Sequence, residues 1–348
     1  MLKHVYKYLV LLFFLVLITS CITNQPTNRN SFSKQERFKE AMEHEFDKTH
    51  DKKLGYIPTD RLLKALNYYK EQSLLKGKTS PAFADIEWKE RGPNNIGGRT
   101  RAILFLSATK VLAAGVTGGL WKTDDITASN PFWKQVDTFA LSTINVSCIA
   151  QDPNSSSTLY LGTGEAFGNL DATVGSGIYK STDGGISWSV LTSTQFTGPS
   201  SDFSYVASIL VTGNGDVYAA TKGYYCNSKG GLMKSTDGGS NWSRVIGTDG
   251  TGGCGTGADL QGRNLAENNA GDLFFTSAYP SGHIYISNKA THGTNVGNSG
   301  NWADITPSGS WERIEMGVSK KSGSAVLFVA CEGSGSNDVT GLFFSKDK

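Results

Sequence analysis

The sequence predicts an all-β fold, a β-propeller with four-stranded blades that is preceded by a short helical segment. Three observations predict it: an eight-residue string that occurs twice, a strand pattern that recurs five times, and an unusual composition. Glycine accounts for 41 of the 348 residues and charged residues for only 18%. This balance is typical of turns and short strands rather than of long helices.

The repeated string runs from Ser181 to Trp188 and returns, 54 residues later, from Ser235 to Trp242. In each copy an Asp precedes a pair of glycines, which supply the positive-φ backbone of a tight hairpin turn. Strand-like sequence flanks the turn on both sides. Two such copies in one chain indicate an internal repeat.

The strand that leads into this turn recurs five times at intervals of 52 to 58 residues. Two β-patterned runs precede each copy, and a strand led by Trp follows the first four copies. Four strands in a unit of about 50–60 residues are the pattern of a propeller blade. The blades therefore occupy residues 86–348, and their third strands end at Thr123, Ser181, Ser235, Ser287 and Ser345.

The two ends of this repeat array are irregular. Trp88, within the run Ile86–Arg91, resembles a Trp-led fourth strand that no other strands precede, whereas the fifth unit has three strands. One interpretation is a closed five-bladed ring in which the N-terminal strand completes the last blade and removes a free edge. The other, which we favour, is that the five blades are the front portion of a larger propeller.

Residues 1–21 have the pattern of a targeting segment. Lys3 and Lys7 precede an apolar run, Leu9–Ile18, that is too short to span a bilayer, which needs about 20 residues. The run leads into Cys21 in a sequence that resembles the lipobox of bacterial lipoproteins. The resemblance implies lipidation of Cys21 and a membrane anchor, and the alternative is an ordinary secretory signal. Both place the mature chain outside the cytoplasm, and for a lipoprotein Ile22 after the Cys favours the outer membrane.

Residues 22–35 are polar and predict a flexible tether, and residues 36–80 predict two helices. The first carries Phe38, Met42 and Phe46 on one face and is expected to end at Leu54-Gly55. The second starts at Thr59. We expect the helices to pack their apolar stripes on the following domain, and the alternative is a partner-binding arm. The stripe of the second helix consists of Leu62, Leu63, Leu66 and Tyr69.

Four further cysteines divide into two kinds. Cys226 and Cys254 lie in Gly-rich loop sequence, and in an oxidising compartment they are the predicted disulfide pair. Cys148 and Cys331 lie in apolar strand-like runs and are predicted to be buried thiols.

The repeated string resembles the Asp-box, Ser-x-Asp-x-Gly-x-(Ser/Thr)-Trp, of BNR-repeat and sortilin-like (VPS10-type) propellers. The stretch from Glu87 to Arg101, which the helical segment precedes, looks like the lead-in of such lipoproteins in Bacteroidetes-type bacteria. The first copy matches throughout, and the second departs only at Asn241. The resemblance implies a structural role for the box and none in catalysis. Its residues are Ser181, Asp183, Gly185, Trp188, Ser235, Asp237, Gly239 and Trp242.

Candidate ligand-binding residues lie where first strands and their loops would face a central channel. Three arginines that open first strands could converge there as a clamp for an anion or a carboxylate. The alternative, which we favour, is ion pairing between blades. The candidates are Arg99, Arg101, Glu165, Asp171, Arg263, Arg313 and Glu332.

These features favour a non-catalytic module that binds a protein or glycan, without a metal or other cofactor. The alternative is a glycoside hydrolase, sialidase-like or xyloglucanase-like, that acts at the channel face. Such enzymes need two placed carboxylates, and the Gly115–Gly119 site, where the xyloglucanase-like family has an Asp, contains no acid. A net charge of +2 without a basic cluster argues against nucleic acid. The sequence does not predict the oligomeric state.

Overall fold

The computed structural model describes most of the repeat region and part of the helical segment. No helix among the described residues is long and apolar enough to cross a membrane. Several predicted features lie outside the described residues: Cys21 and most of the tether, Trp88, Asp171, Cys226 and Cys254. The described residues are 34–56, 58, 61, 64, 65, 68, 69, 71, 72, 99–136, 145–165, 173–195, 201–223, 230–247, 260–278, 281–319, 327–334 and 338–345.

The first helix, α1, spans Lys34–Thr49. It ends earlier than predicted, because Asp51 Oδ1 accepts hydrogen bonds from the amides of Lys53 and Leu54 at 2.8 and 3.1 Å. Such a side-chain acceptor favours a turn over further helix. Gly55, at φ 71°, lies in that turn. Of the second predicted helix, the described Tyr69 has helical backbone and a side chain that is 59% exposed.

The repeat region forms antiparallel blades in which consecutive strands are neighbours, as the propeller prediction requires. We number the blades 1 to 5 along the chain. Blade 1 consists of β1 (Thr100–Phe105), β2 (Val111–Gly115), β3 (Gly119–Thr123) and β4 (Lys134–Gln135). Blade 2 consists of β5 (Val146–Asp152), β6 (Ser155–Thr163), β7 (Ile178–Ser181) and β8 (Ser189–Val190). Blade 3 consists of β9 (Tyr205–Val211), β10 (Val217–Lys222), β11 (Gly230–Ser235) and β12 (Ser243–Ile246).

Blades 4 and 5 continue the array and are joined by one bridge, between Ala278 and Arg313. A short helix, α2 (Lys289–His292), follows the third strand of blade 4. Blade 4 consists of β13 (Gln261–Glu267), β14 (Leu273–Ala278), β15 (Ile284–Ser287) and β16 (Ala303–Asp304). The described strands of blade 5 are β17 (Trp311–Val318), β18 (Leu327–Gly333) and β19 (Val339–Ser345).

The core lies between successive blades. The first strands contact one another in order, β1 with β5, β5 with β9, β9 with β13 and β13 with β17. Every residue of β10 and β14 is buried, because these strands have a neighbouring blade on both faces. In β18 only alternate residues among its first five are buried; among the described residues, the apolar side chains that pack on them from another blade belong to blade 4.

In the repeated turn, the Ser and Asp side chains accept hydrogen bonds from groups of the turn itself. Asp183 Oδ1 accepts hydrogen bonds from the Ser181 hydroxyl at 2.7 Å and from the Ile186 and Ser187 amides at 3.0 and 2.9 Å. The Gly185 amide donates to Ser181 Oγ at 2.9 Å. In the second copy the Asn241 side chain donates to Asp237 Oδ2 at 2.7 Å, where the first copy has a serine hydroxyl. These contacts hold the hairpin without a ligand.

Candidate functional site

A cavity of about 400 Å³ lies at the inner edges of the blades, and the first strands of all five contribute to its lining. The lining residues that can form hydrogen bonds or ion pairs come from β1, β5, β9, β13 and β17. They are Arg101, Ser147, Cys148, Ser208, Arg263, Asn264, Arg313 and Glu315.

A β-bulge at the start of each first strand helps place these side chains. Pairing with the second strand shifts between Thr100 and Ala102 in blade 1 and between Gly262 and Asn264 in blade 4. The extra residues are Arg101 and Arg263, and both line the cavity. A bulge redirects the side chain of its extra residue and is frequent beside functional sites. The same irregularity brings Ser147 and Ala207 to the cavity in blades 2 and 3.

Glu165 joins blade 1 to blade 2. Its carboxylate is 1% exposed and accepts hydrogen bonds from Arg101 at 2.6 Å and from Arg99 at 2.8 Å. Of the residues in this cluster, Arg101 lines the cavity and Glu165 lies behind it. Ion pairing between blades, one of the two roles expected for these arginines, is therefore present here.

On the opposite side of the cavity, Arg313 donates two hydrogen bonds to Glu315 Oε1, at 2.8 and 2.7 Å. Asn264 of blade 4 donates to the other oxygen of Glu315 at 3.3 Å. Glu332 is directly opposite Arg313 in the β17–β18 register and does not line the cavity. Glu315, which the sequence did not single out, thus orients Arg313.

Arg263 is the buried cation of the site, with 8% of its surface exposed. Burial and the positive charges of Arg313 and Arg101 lower the pKa of Arg263 to about 10, against the opposing effect of Glu315 and Glu332. The charged form of Arg263 is thus disfavoured by its surroundings even though acids lie nearby. The three predicted arginines do come together, and they concentrate positive charge on the cavity.

Cys148 also lines the cavity, as a free thiol. Its Sγ donates to the carbonyl of Val206 at 3.6 Å, and burial raises the pKa of the thiol to about 12. A thiol with so high a pKa is a poor nucleophile at neutral pH. Cys331 is a buried free thiol as well, so the prediction of buried thiols is confirmed for Cys331, whereas Cys148 is only partly buried.

Carboxylates are scarce in the cavity. Among its described lining residues Glu315 is the one acid, and Glu165 is held by two arginines behind the wall. Within the described residues, no group of three or more His, Cys, Asp or Glu side chains could hold a metal ion. The described cavity wall therefore carries three arginines and one acid.

A second polar cluster lies at the edge of blade 4. Asp304 Oδ2 lies 2.8 Å from His283 Nδ1, and His283 Nε2 lies 2.9 Å from the Ser281 hydroxyl. The order resembles a nucleophile, a base and an orienting acid. Ser281 and Asp304 are exposed, and neither lines the described cavity. His283 directly precedes β15 and Asp304 lies in β16. We therefore assign the cluster a structural role, in which it connects these two strands.

Comparisons with known proteins find similarity in fold. No protein-family model matches the chain, and no curated protein matches it. An ancestral GH74 enzyme is 19% identical to this chain, with a TM-score of 0.47. The match covers 71% of this chain and 33% of the enzyme. The extracellular domain of a putative one component system from B. thetaiotaomicron is 13% identical to this chain, with a TM-score of 0.45. The match covers 74% of this chain and 28% of that protein. YCF48 from Cyanidioschyzon merolae is 14% identical at 0.40, covering 71% of each chain.

The chain spans about a third of the length of the first structures it matches. At sequence identities of 13–19%, the substrate or partner of a matched structure is not assigned to this chain. The strand order and the arrangement of the five first strands around one cavity identify an all-β propeller fold.

Proposed function

We propose that this protein is a non-catalytic binding module of the cell envelope whose cavity holds an anionic group of a protein or glycan ligand. The observation that supports it is the convergence of Arg101, Arg263 and Arg313 on one cavity. Two of these guanidinium groups are oriented by glutamates, through Glu165 and Glu315. Oriented arginines lose little conformational freedom when they bind a carboxylate, sulfate or phosphate group.

Electrostatics favours an anion over a neutral ligand. Arg263 is buried close to two like charges, and both effects lower its pKa. An anion in the cavity would offset that repulsion while it accepts charge-assisted hydrogen bonds, which are roughly twice as strong as neutral ones. The cavity volume of about 400 Å³ falls in the range of small-ligand sites. A single acidic sugar or an acidic side chain therefore fits in size and charge.

The cellular setting of the proposal comes from the N-terminal sequence. Residues 1–21 have the pattern of an exported lipoprotein. A lipid anchor at Cys21 would hold the propeller on the envelope, more favourably on the outer membrane. In that position the cavity would be available to extracytoplasmic glycans or proteins.

Glycoside hydrolysis, the alternative function, finds less support. Most glycosidases need two carboxylates about 5–10 Å apart beside the scissile bond. The described cavity wall supplies Glu315, which already pairs with Arg313 and accepts a bond from Asn264. We therefore favour binding over catalysis.

Calorimetric titration of the chain from Ile22 onward tests the proposal. The probes are an oligogalacturonate, the neutral oligosaccharide of the same length, a Glu-rich peptide and its Gln counterpart. We expect binding of at least one acidic probe, weaker binding as salt rises, and no binding of the neutral counterparts. Equal binding of acidic and neutral probes, or release of shorter sugars during incubation, would overturn the proposal.

Two variants with opposite expected effects sharpen this test. Arg263→Gln should weaken binding at least about tenfold, or about 1.4 kcal/mol, because it removes the buried cation. Glu315→Gln should strengthen binding, because the cavity loses its lining acid and Arg313 loses a competing acceptor. Circular dichroism spectra and melting temperatures of both variants verify that they fold. A change in the same direction for both variants would contradict an electrostatic site.

A further inference from the structure

The described cavity wall has a cationic part and an uncharged part. Its three arginines come from the first strands of blades 4, 5 and 1. In blades 2 and 3 the bulge residue, which is an arginine in blades 1 and 4, is Ser147 and Ala207. We call the surface that blades 2 and 3 contribute to the cavity the neutral wall. It consists of Ser147, Cys148, Ile149, Ala207 and Ser208.

The small residues of the neutral wall leave room beside the arginines. The cavity measures about 400 Å³, whereas a water molecule takes up about 30 Å³ of the liquid. A carboxylate group has three heavy atoms, so it fills only a small part of that volume. An arginine at Ala207, as in the equivalent position of blades 1 and 4, would occupy much of the remaining space. The part of the ligand next to its anionic group therefore lies against the neutral wall.

Ser147 gives the neutral wall a hydrogen-bond acceptor. Its hydroxyl donates to the carbonyl oxygen of Val206 at 2.5 Å, and Ser147 is 7% exposed. A serine hydroxyl has one hydrogen and two acceptor positions, so Ser147 Oγ offers only lone pairs to a ligand. Cys148 Sγ donates to the same carbonyl at 3.6 Å. The group that lies on this wall should therefore be a donor, such as a hydroxyl.

This polarity distinguishes the acidic ligands that the cavity could hold. The carbons beside the carboxylate of an Asp or Glu side chain carry no hydroxyl group. Such a chain would cover Ser147 Oγ without replacing its hydrogen bonds to water, which costs affinity. A uronic acid carries its carboxylate and several hydroxyl groups on one ring, and the C–H groups of that ring can lie against Ile149 and Ala207. The neutral wall therefore favours a sugar acid over an acidic side chain.

We propose that the ligand is a uronic acid unit of a glycan, whose carboxylate binds the arginines and whose hydroxyl group donates to Ser147 Oγ. The inference rests on the anion site proposed above and adds the class of ligand. It also assigns specificity to two residues outside the cationic part. Ser147 selects a ligand with a donor next to its anionic group, and the small side chain of Ala207 admits the ring.

Calorimetric titration of the chain from Ile22 onward with four small probes tests the ligand class. Galacturonic acid has the carboxylate and the hydroxyl groups, cyclohexanecarboxylate has the carboxylate on a plain ring, and galactose has hydroxyl groups without the carboxylate. N-acetylglutamate amide represents an acidic side chain. We expect galacturonate to bind at least about tenfold more tightly than cyclohexanecarboxylate or the glutamate derivative. Galactose should show no measurable binding.

Two variants of the neutral wall test the assigned residues. Ser147→Ala should remove most of the preference for galacturonate over cyclohexanecarboxylate, because it deletes the acceptor. Ala207→Leu should weaken galacturonate at least about tenfold and acetate less, because the larger side chain takes the space of the ring while the arginines remain. Ser189→Ala, at an exposed serine of β8 that does not line the described cavity, is the matched control and should keep the preference. Circular dichroism spectra and melting temperatures verify that all three fold.

The results separate failure of this inference from failure of the anion site. A wild type that binds none of the acidic probes would overturn both. Equal binding of galacturonate and cyclohexanecarboxylate, or tighter binding of the glutamate derivative, would overturn the sugar acid and leave the anion site in place. The same holds for a preference that Ser147→Ala leaves unchanged, or for an Ala207→Leu variant that binds galacturonate as tightly as the wild type.

Discussion

Arg101 of blade 1 donates a hydrogen bond of 2.6 Å to Glu165 of blade 2, whose carboxylate is almost wholly buried. Arg99 donates to the other oxygen of the same carboxylate at 2.8 Å. The pair therefore connects two blades and holds one of the cavity arginines in place. Glu165 therefore contributes both to the contact between two blades and to the orientation of a cavity arginine.

Replacement of Glu165 by Gln should lower the free energy of unfolding by about 1–3 kcal/mol, because a neutral amide cannot satisfy two guanidinium groups from a buried position. Urea unfolding followed by tryptophan fluorescence measures the change. Glu315→Gln is the control: its ion pair with Arg313 is more than one-third exposed, and such pairs contribute less than about 1 kcal/mol. Equal losses for the two variants would show that burial of Glu165 is unimportant.

The propeller could be predicted because its signal is repeated. Each unit carries a third strand that ends in Ser or Thr, four of the five units add a Trp-led strand, and two carry the full glycine turn. Agreement among copies compensates for weak signals in any one of them. The convergence of Arg101, Arg263 and Arg313 followed from their place at the start of first strands. The bulges that direct Arg101 and Arg263 into the cavity depend on strand register, which a single sequence does not specify. Glu315 was not among the predicted site residues, because its place on the cavity wall also depends on strand register.

Gly239 should be intolerant of a side chain because its turn touches the preceding blade. A Cβ at this position would lie 2.4 Å from Leu191 Cδ1, and its φ is 97°. Gly239→Ala should therefore cost about 2 kcal/mol, mostly from the unfavourable backbone, with a smaller part from displacing the terminal methyl of Leu191. Gly184→Ala is matched in backbone, with φ 73°, but has nothing within 4 Å, so its cost should be about 1 kcal/mol. Similar losses in urea unfolding would mean that the contact with Leu191 is not formed.

The first helix ends earlier than the spacing of its apolar residues predicts. The apolar spacing of Phe38, Met42 and Phe46 predicts a helix that ends at Leu54-Gly55, and the structure ends it at Thr49. The hydrogen bonds that Asp51 accepts from the Lys53 and Leu54 amides favour the earlier end. The spacing of apolar residues contains no information about such local polar contacts.

The repeated turns should make stability depend on pH in the acid range. Hydrogen bonds from Ser187 lower the pKa of Asp183 to about 2, and hydrogen bonds from Asn241 do the same for Asp237. A lowered folded-state pKa stabilises the protein above the unfolded-state value of about 3.9, and this contribution disappears as pH falls towards 2. The melting temperature should therefore drop between about pH 4 and pH 2. Asp183→Asn should flatten this drop and lower the melting temperature at pH 7, and an unchanged profile would contradict the assignment.

The cysteines should separate into two classes by reactivity. Burial raises the pKa of Cys148 to about 12 and raises that of Cys331, and thiols react with iodoacetamide as thiolates. In the folded protein at pH 8 we expect Cys148 to remain unmodified even though it lines the cavity, and both cysteines to be labelled after denaturation. Peptide mapping without reduction measures the labels and also tests the predicted Cys226–Cys254 disulfide. Labelling of Cys148 in the native state would show that its thiolate forms readily at pH 8 and would contradict the raised pKa of this thiol.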